Sequence, residues 1–120
     1  MFAAPPKINR VTLNSMNCEK LTEFYSDLGM LFNTEIKDEN RKHYTYVYDD
    51  LIFEIREVNN ENEATKNIII RFLIDEIDGY IEELQEMGIK IVKESWTTET
   101  HKHIFLNDPD GNLIELMTEI

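Results

Sequence analysis

The chain has 120 residues, enough for one domain with a real core and too few for two independent ones. Its 24 acidic and 12 basic residues leave a formal net charge of −12 with no basic stripe to offset it, which argues against nucleic acid or an anionic membrane as a partner. No apolar run approaches bilayer-spanning length, and Met1-Phe2-Ala3-Ala4-Pro5-Pro6-Lys7 lacks the pattern of a secretory signal, so a cytoplasmic location is expected. One cysteine, Cys18, excludes an internal disulfide and a thiolate metal cluster, and it reads as a packing residue.

Ile8 to Met16 alternates and is β-branched, as a strand requires. Asn17 is a suitable N-cap for a helix that carries Leu21, Phe24, Tyr25 and Leu28 as one apolar stripe and stops at Gly29. Met30 to Ile36 starts a second strand, and Asp38-Glu39-Asn40 reads as a turn. Arg41 to Tyr48 and Leu51 to Val58 form a hairpin closed at Asp49-Asp50. The row Tyr44, Tyr46, Tyr48 has one parity and is expected under a helix or at a subunit interface. Residues 59–66 are polar, aperiodic and linker-like.

The second half repeats this order. Asn67 to Ile74 is a strand, and Asp75 is the expected cap of a helix carrying Ile77, Ile81, Leu84 and Met87 that ends at Gly88. Ile89 to Lys93 is a strand, Ser95 to Thr100 a loop with Trp96 in it, and His101 to Asn107 a further strand. Asp108-Pro109-Asp110-Gly111-Asn112 has turn chemistry, and Leu113 to Thr118 closes the module. Gly29 and Gly88 stand 59 residues apart, and Phe53-Glu54-Ile55 matches Ile114-Glu115-Leu116 at an offset of 61. Each half is therefore βαβββ, roughly 7–58 and 67–120, and each embeds one glutamate in an apolar final strand.

The βαβββ repeat, the Phe24-Tyr25 and Leu28-Gly29 helix end, and Asp108-Pro109-Asp110-Gly111-Asn112 with Glu115 resemble the vicinal oxygen chelate superfamily. That group includes glyoxalase I, extradiol dioxygenases and bleomycin-resistance proteins. The resemblance covers roughly residues 8 to 118 and implies an α+β fold, a single domain of two βαβββ modules in pseudo-twofold arrangement forming a curved mixed-sheet cup. It also implies a homodimer, which would cover sheet edges.

In metal-using members of that superfamily, the first and last strand of each half supply one ligand each. Those positions here are Arg10, Glu54, Ile69 and Glu115, where histidines would be expected at 10 and 69. Neither arginine nor isoleucine can ligate a divalent cation. Arg10 is instead expected to pair with Glu54 and Glu115 where the metal's charge would have been.

The rival arrangement rests on register. If Asn107 pairs with Leu113, then Phe105 faces Glu115, with His103 and His101 on the same side; Asp49-Asp50 likewise sets Thr45 opposite Glu54 and puts His43 on its face. A divalent metal on Glu54, His103 and Glu115 is then conceivable. Arg56 and Arg71 share the glutamates' parity and could hold a ligand's carboxylate or phosphate, or pair with acidic neighbours. Trp96 could cover a planar ligand.

Two functions follow from the resemblance. The preferred one is a small-molecule binder of the bleomycin-resistance kind, without the usual His/Glu metal site and with no resident cofactor, because both ligand-position histidines are missing. The alternative is a glyoxalase- or dioxygenase-like metalloenzyme, a lyase, isomerase or dioxygenase. No Gly-rich phosphate loop, Ser-His-Asp order or Cys-His pair supports nucleophilic catalysis.

Overall fold

A computed structural model describes residues 4–37 and 41–120. The chain divides into two compact units, Met1–Thr65 and Lys66–Ile120. Unit 1 runs β1 (Arg10–Ser15), α1 (Cys18–Asp27), β2 (Asn33–Lys37), β3 (Arg41–Tyr48) and β4 (Leu51–Glu57). Unit 2 runs β5 (Ile69–Leu73), α2 (Ile77–Glu86), β6 (Ile91–Thr97), β7 (His101–Asn107) and β8 (Leu113–Glu119). The fold is the expected α+β pair of βαβββ modules, each with one helix and one mixed four-stranded sheet. The strand orders are β1-β4-β3-β2 and β5-β8-β7-β6. In each unit the first strand lies parallel to the last, and the other pairings are antiparallel. The expected turn Asp38-Glu39-Asn40 lies outside the described residues.

Turn chemistry sets the register. Asp49 adopts φ 52°, a left-handed conformation that aspartate tolerates, and the two-residue turn pairs Tyr48 with Leu51. In unit 2 the loop between Asn107 and Leu113 is held from inside. One Asp108 carboxylate oxygen accepts from the backbone N–H groups of Asp110 and Asn112, and the other accepts from the Asn112 amide. Asn112, fully buried, in turn accepts from the Ile68 N–H just before β5. The turn thus also ties β5 to the β7–β8 hairpin.

Both helices end alike. Gly29 and Gly88 have positive φ, and each helix closes with the paired backbone bonds of a Schellman motif: Met30 N–H to Tyr25 O with Gly29 N–H to Ser26 O, and Ile89 N–H to Leu84 O with Gly88 N–H to Gln85 O. Their starts differ. Asn17 caps α1 as expected, its side chain accepting from Lys20 N–H at 3.4 Å. The Asp75 cap is a correction: the N-cap of α2 is Glu76, which makes no side-chain cap bond. Asp75 lies a residue too early, and its carbonyl accepts from the Thr118 hydroxyl at 2.7 Å.

Each helix covers one face of its own sheet. In unit 1 the buried stripe Leu21, Phe24, Tyr25 and Leu28 meets Leu13, Phe53 and Ile55, with the Tyr25 and Phe53 rings edge-to-face at 5.1 Å. Tyr44 and Tyr46 stand opposite Ile55 and Phe53, which puts the tyrosine row on the α1 side; Tyr46 contacts Phe32, and Tyr48 is exposed. In unit 2, Ile77 and Leu84 of α2 and Ile104, Leu106, Ile114 and Leu116 of β7 and β8 are buried. Because strand side chains alternate, the residues between these apolar ones face away from the helix. Glu54 and Glu115 are on those far faces.

A further correction concerns a connection. Trp96 is in β6 rather than a loop, paired with His103 through two register shifts that absorb the irregular sequence Lys93 to Trp96; its side chain is not among those described. The 59–66 stretch contains a 3-10 turn, Glu61–Glu63, and bonds back to β1.

Candidate functional site

In unit 1, Glu54 sits mid-strand with Thr12 beside it in parallel register and Thr45 in antiparallel register. It is only 5% exposed. A carboxylate so buried needs donors, and three are present. Thr12 Oγ1 donates to Oε1 at 3.0 Å, while Arg10 Nη1 at 3.2 Å and His43 Nδ1 at 3.0 Å share Oε2. Burial by itself would raise the Glu54 pKa. The hydrogen bonds from His43 and Thr12, with the charges of His43 and Arg10, outweigh it and hold the carboxyl below its ordinary value.

Unit 2 repeats the arrangement with one substitution of position. Glu115 is buried beside Arg71 in parallel register and opposite Phe105. Arg71 Nε lies 3.2 Å from Oε1, and His103 Nδ1 lies 2.6 Å from Oε2. His43 and His103 are equivalent, each two register steps from its glutamate on the neighbouring antiparallel strand. The arginines are not equivalent. Arg10 pairs with Ile52 and Ile69 with Leu113, so Arg10 corresponds to Ile69, while Arg71 corresponds to Thr12. Arg71 is therefore the arginine that answers Glu115, an option its sequence left open beside ligand binding.

The remaining expected residues are dispersed. Arg56 donates from Nε to Asn14 Oδ1 at 3.1 Å instead of to a carboxylate. His101 lies at the start of β7 opposite Glu119, its Nδ1 2.6 Å from Thr100 Oγ1, and meets His103 only ring to ring at 6.1 Å. Sequence reasoning placed His43 on the correct face but gave it no partner; its position two steps from Glu54 was the available signal. Cys18 is buried near Glu57, and burial followed by the negative charges of Glu57 and Glu19 raises its thiol pKa, the opposite of what a nucleophile requires.

The residues do not fit the divalent metal that the resemblance implies. Ile69, 69% exposed, and Arg10 offer no lone pair at two ligand positions, and both glutamates already accept from cationic or imidazole donors of their own unit. Among the described residues, no three His, Cys, Asp or Glu side chains are gathered to hold a metal ion. What the two faces offer is hydrogen-bond donors: the Arg10 and Arg71 side chains remain 44% and 58% exposed.

Compared with known families, residues 7–116 match the glyoxalase/bleomycin resistance protein/dioxygenase superfamily. The chain belongs to that superfamily. Among solved structures, a glyoxalase/dioxygenase from Nostoc punctiforme is similar at TM-score 0.78 and 21% identity, over 100% of this chain and 97% of that one. TnmS3, an antibiotic binding protein from Streptomyces, is similar at TM-score 0.72 and 18% identity, over 99% and 100%. A lactoylglutathione lyase from Agrobacterium tumefaciens is similar at 0.70 and 15%, over 95% and 94%. At such identities these superfamily structures share the fold, and their chemistry does not transfer. No curated protein matches the chain.

Proposed function

We propose that this superfamily member binds a small organic molecule, without the usual His/Glu metal site, on the sheet faces that carry Glu54 and Glu115. One observation carries the reading: each glutamate is answered inside its own unit by an arginine and a histidine, Arg10 and His43 for Glu54, Arg71 and His103 for Glu115. A metal at either glutamate would have to displace these donors. That the fold can serve a binder is supported by TnmS3, an antibiotic binding protein. Arg10, Arg56, Arg71, His101, His103 and Trp96 are the proposed ligand contacts beside the glutamates. A homodimer belongs to the same proposal, motivated by exposed Ile69 and Leu73 on β5, a terminal strand of its sheet.

The test is metal content of protein purified without chelator, measured beside Glu115→Gln, with a small-molecule thermal-shift screen run in EDTA. Substoichiometric metal together with ligand-induced shifts is the expected result. A stoichiometric metal that disappears in Glu115→Gln would overturn the proposal in favour of a metalloenzyme that uses Glu115. That second reading draws on the nitrogen and oxygen donors that His103 and Glu115 place side by side.

A further inference from the structure

The face of unit 1 that carries Glu54 has a charge unlike the rest of the chain. By register, Arg10, Arg41 and Arg56 lie on it with Glu35 and Glu54, three guanidiniums against two carboxylates among the described side chains. The chain as a whole carries a formal charge of −12. Local excess of this sign in an acidic protein selects for a small anion and against a large polyanion, which the rest of the surface repels.

Arg56 has a distinctive setting on this face. It is half-buried, and among the described residues no carboxylate pairs with it. Its single described bond is Nε to Asn14 Oδ1, and Asn14 is itself fixed from two sides. The Asn14 amide donates to Glu63 O at 3.0 Å, and its backbone N–H donates to Thr65 Oγ1 at 2.9 Å. The 3-10 turn after β4 thus orients Asn14, and Asn14 orients the guanidinium. With Nε committed, the two terminal nitrogens form a planar fork suited to two oxygens of one anionic group. The neighbouring Glu54 repels such a group less than a bare carboxylate would, since Arg10, Thr12 and His43 already donate to it.

We infer that Arg56, held by Asn14, anchors a carboxylate or phosphate group of a small organic ligand, with Arg10 as the second cation beside it. Asn14 is a positioning residue. The inference rests on the unit 1 face being a ligand site, and it adds the ligand's class: a small organic anion.

The full-length protein, labelled with 15N, allows the arginine Nε–H resonances to be followed while sodium benzoate, inorganic phosphate or, as ionic-strength control, sodium chloride is added. A saturable shift of the Arg56 resonance with benzoate or phosphate, absent with chloride, is expected. Saturation by benzoate alone assigns a carboxylate, and saturation by phosphate alone a phosphate. Arg56→Lys keeps the charge but loses the fork, and affinity read from backbone shifts falls by about tenfold, the loss of one charge-assisted hydrogen bond. Arg56→Gln abolishes binding with the thermal midpoint retained. Shifts that chloride reproduces, or binding that survives Arg56→Gln, overturn the inference. A neutral compound bound in the screen without any anion response sinks this inference alone and leaves the metal-free binder standing.

Discussion

Two buried glutamates are chemically alike but differently placed among their partners. Glu54 draws its arginine from the place where a ligand histidine would stand, and Glu115 draws one from the neighbouring register position. Length explains why both solutions work, since a guanidinium on a long flexible stem reaches a carboxylate from either start. The depressed Glu54 pKa gives a testable consequence with a defined sign. A carboxyl with a folded value below its ordinary 4.5 binds its proton more weakly when folded than when unfolded. Its contribution is therefore complete above pH 4.5 and is lost as pH falls through the lowered folded value. Glu54→Gln, which turns an acceptor into an amide facing Arg10 and His43, should lower stability at pH 7 by about 2 kcal/mol. In denaturant titrations the gap to the parent protein should close below pH 4.5; a gap that is constant with pH would contradict this origin.

At the level of elements, what could be read ahead was whatever depends on neighbours in sequence. Asn17, Gly29 and Gly88 announce helix ends because caps are made within a few residues. Asp49-Asp50 and Asp108 to Asn112 announce register because hairpin pairing propagates from the turn, and Thr45 opposite Glu54 and Phe105 opposite Glu115 follow from it. Contacts between strands distant in sequence leave no local signal: the Arg10–Glu54 pair, 44 residues apart, was expected only through the family resemblance, and others were not expected at all. Arg71 to Glu115 spans 44 residues of chain, and Asn14 to Thr65 spans 51. The error at Asp75 is of a different kind. It is a good cap residue one position before the true N-cap, where Glu76 extends without bonding the first turn. Glu76→Ser should therefore stabilise the protein by about 0.5–1 kcal/mol in chemical denaturation, through a cap bond that α2 now lacks. A neutral or negative effect would mean that the first turn is satisfied in another way.

Across the whole chain, the two units share helix termination, strand order and the His–Glu geometry, while their charged residues have diverged. The part in common is the part that builds a sheet. The divergent part faces away from the helices, where a substitution alters recognition without disturbing the core, as expected when one scaffold serves several chemistries. The pairing of first strand with last has a separate consequence for how the protein assembles. Arg10 meets Ile52, and Ile69 meets Leu113, so within the described sheet of its own unit the earliest strand has no neighbouring strand until the latest one exists. On a nascent chain, β1 must wait for a hairpin made more than 30 residues later. Local hairpins form before such distant contacts, so the β3–β4 and β7–β8 ribbons should organise the transition states and β1 and β5 dock afterwards. Conservative truncations would then slow refolding at Phe53 and Ile114, while Leu13→Ala would chiefly hasten unfolding. The strand made first would be the last to become native.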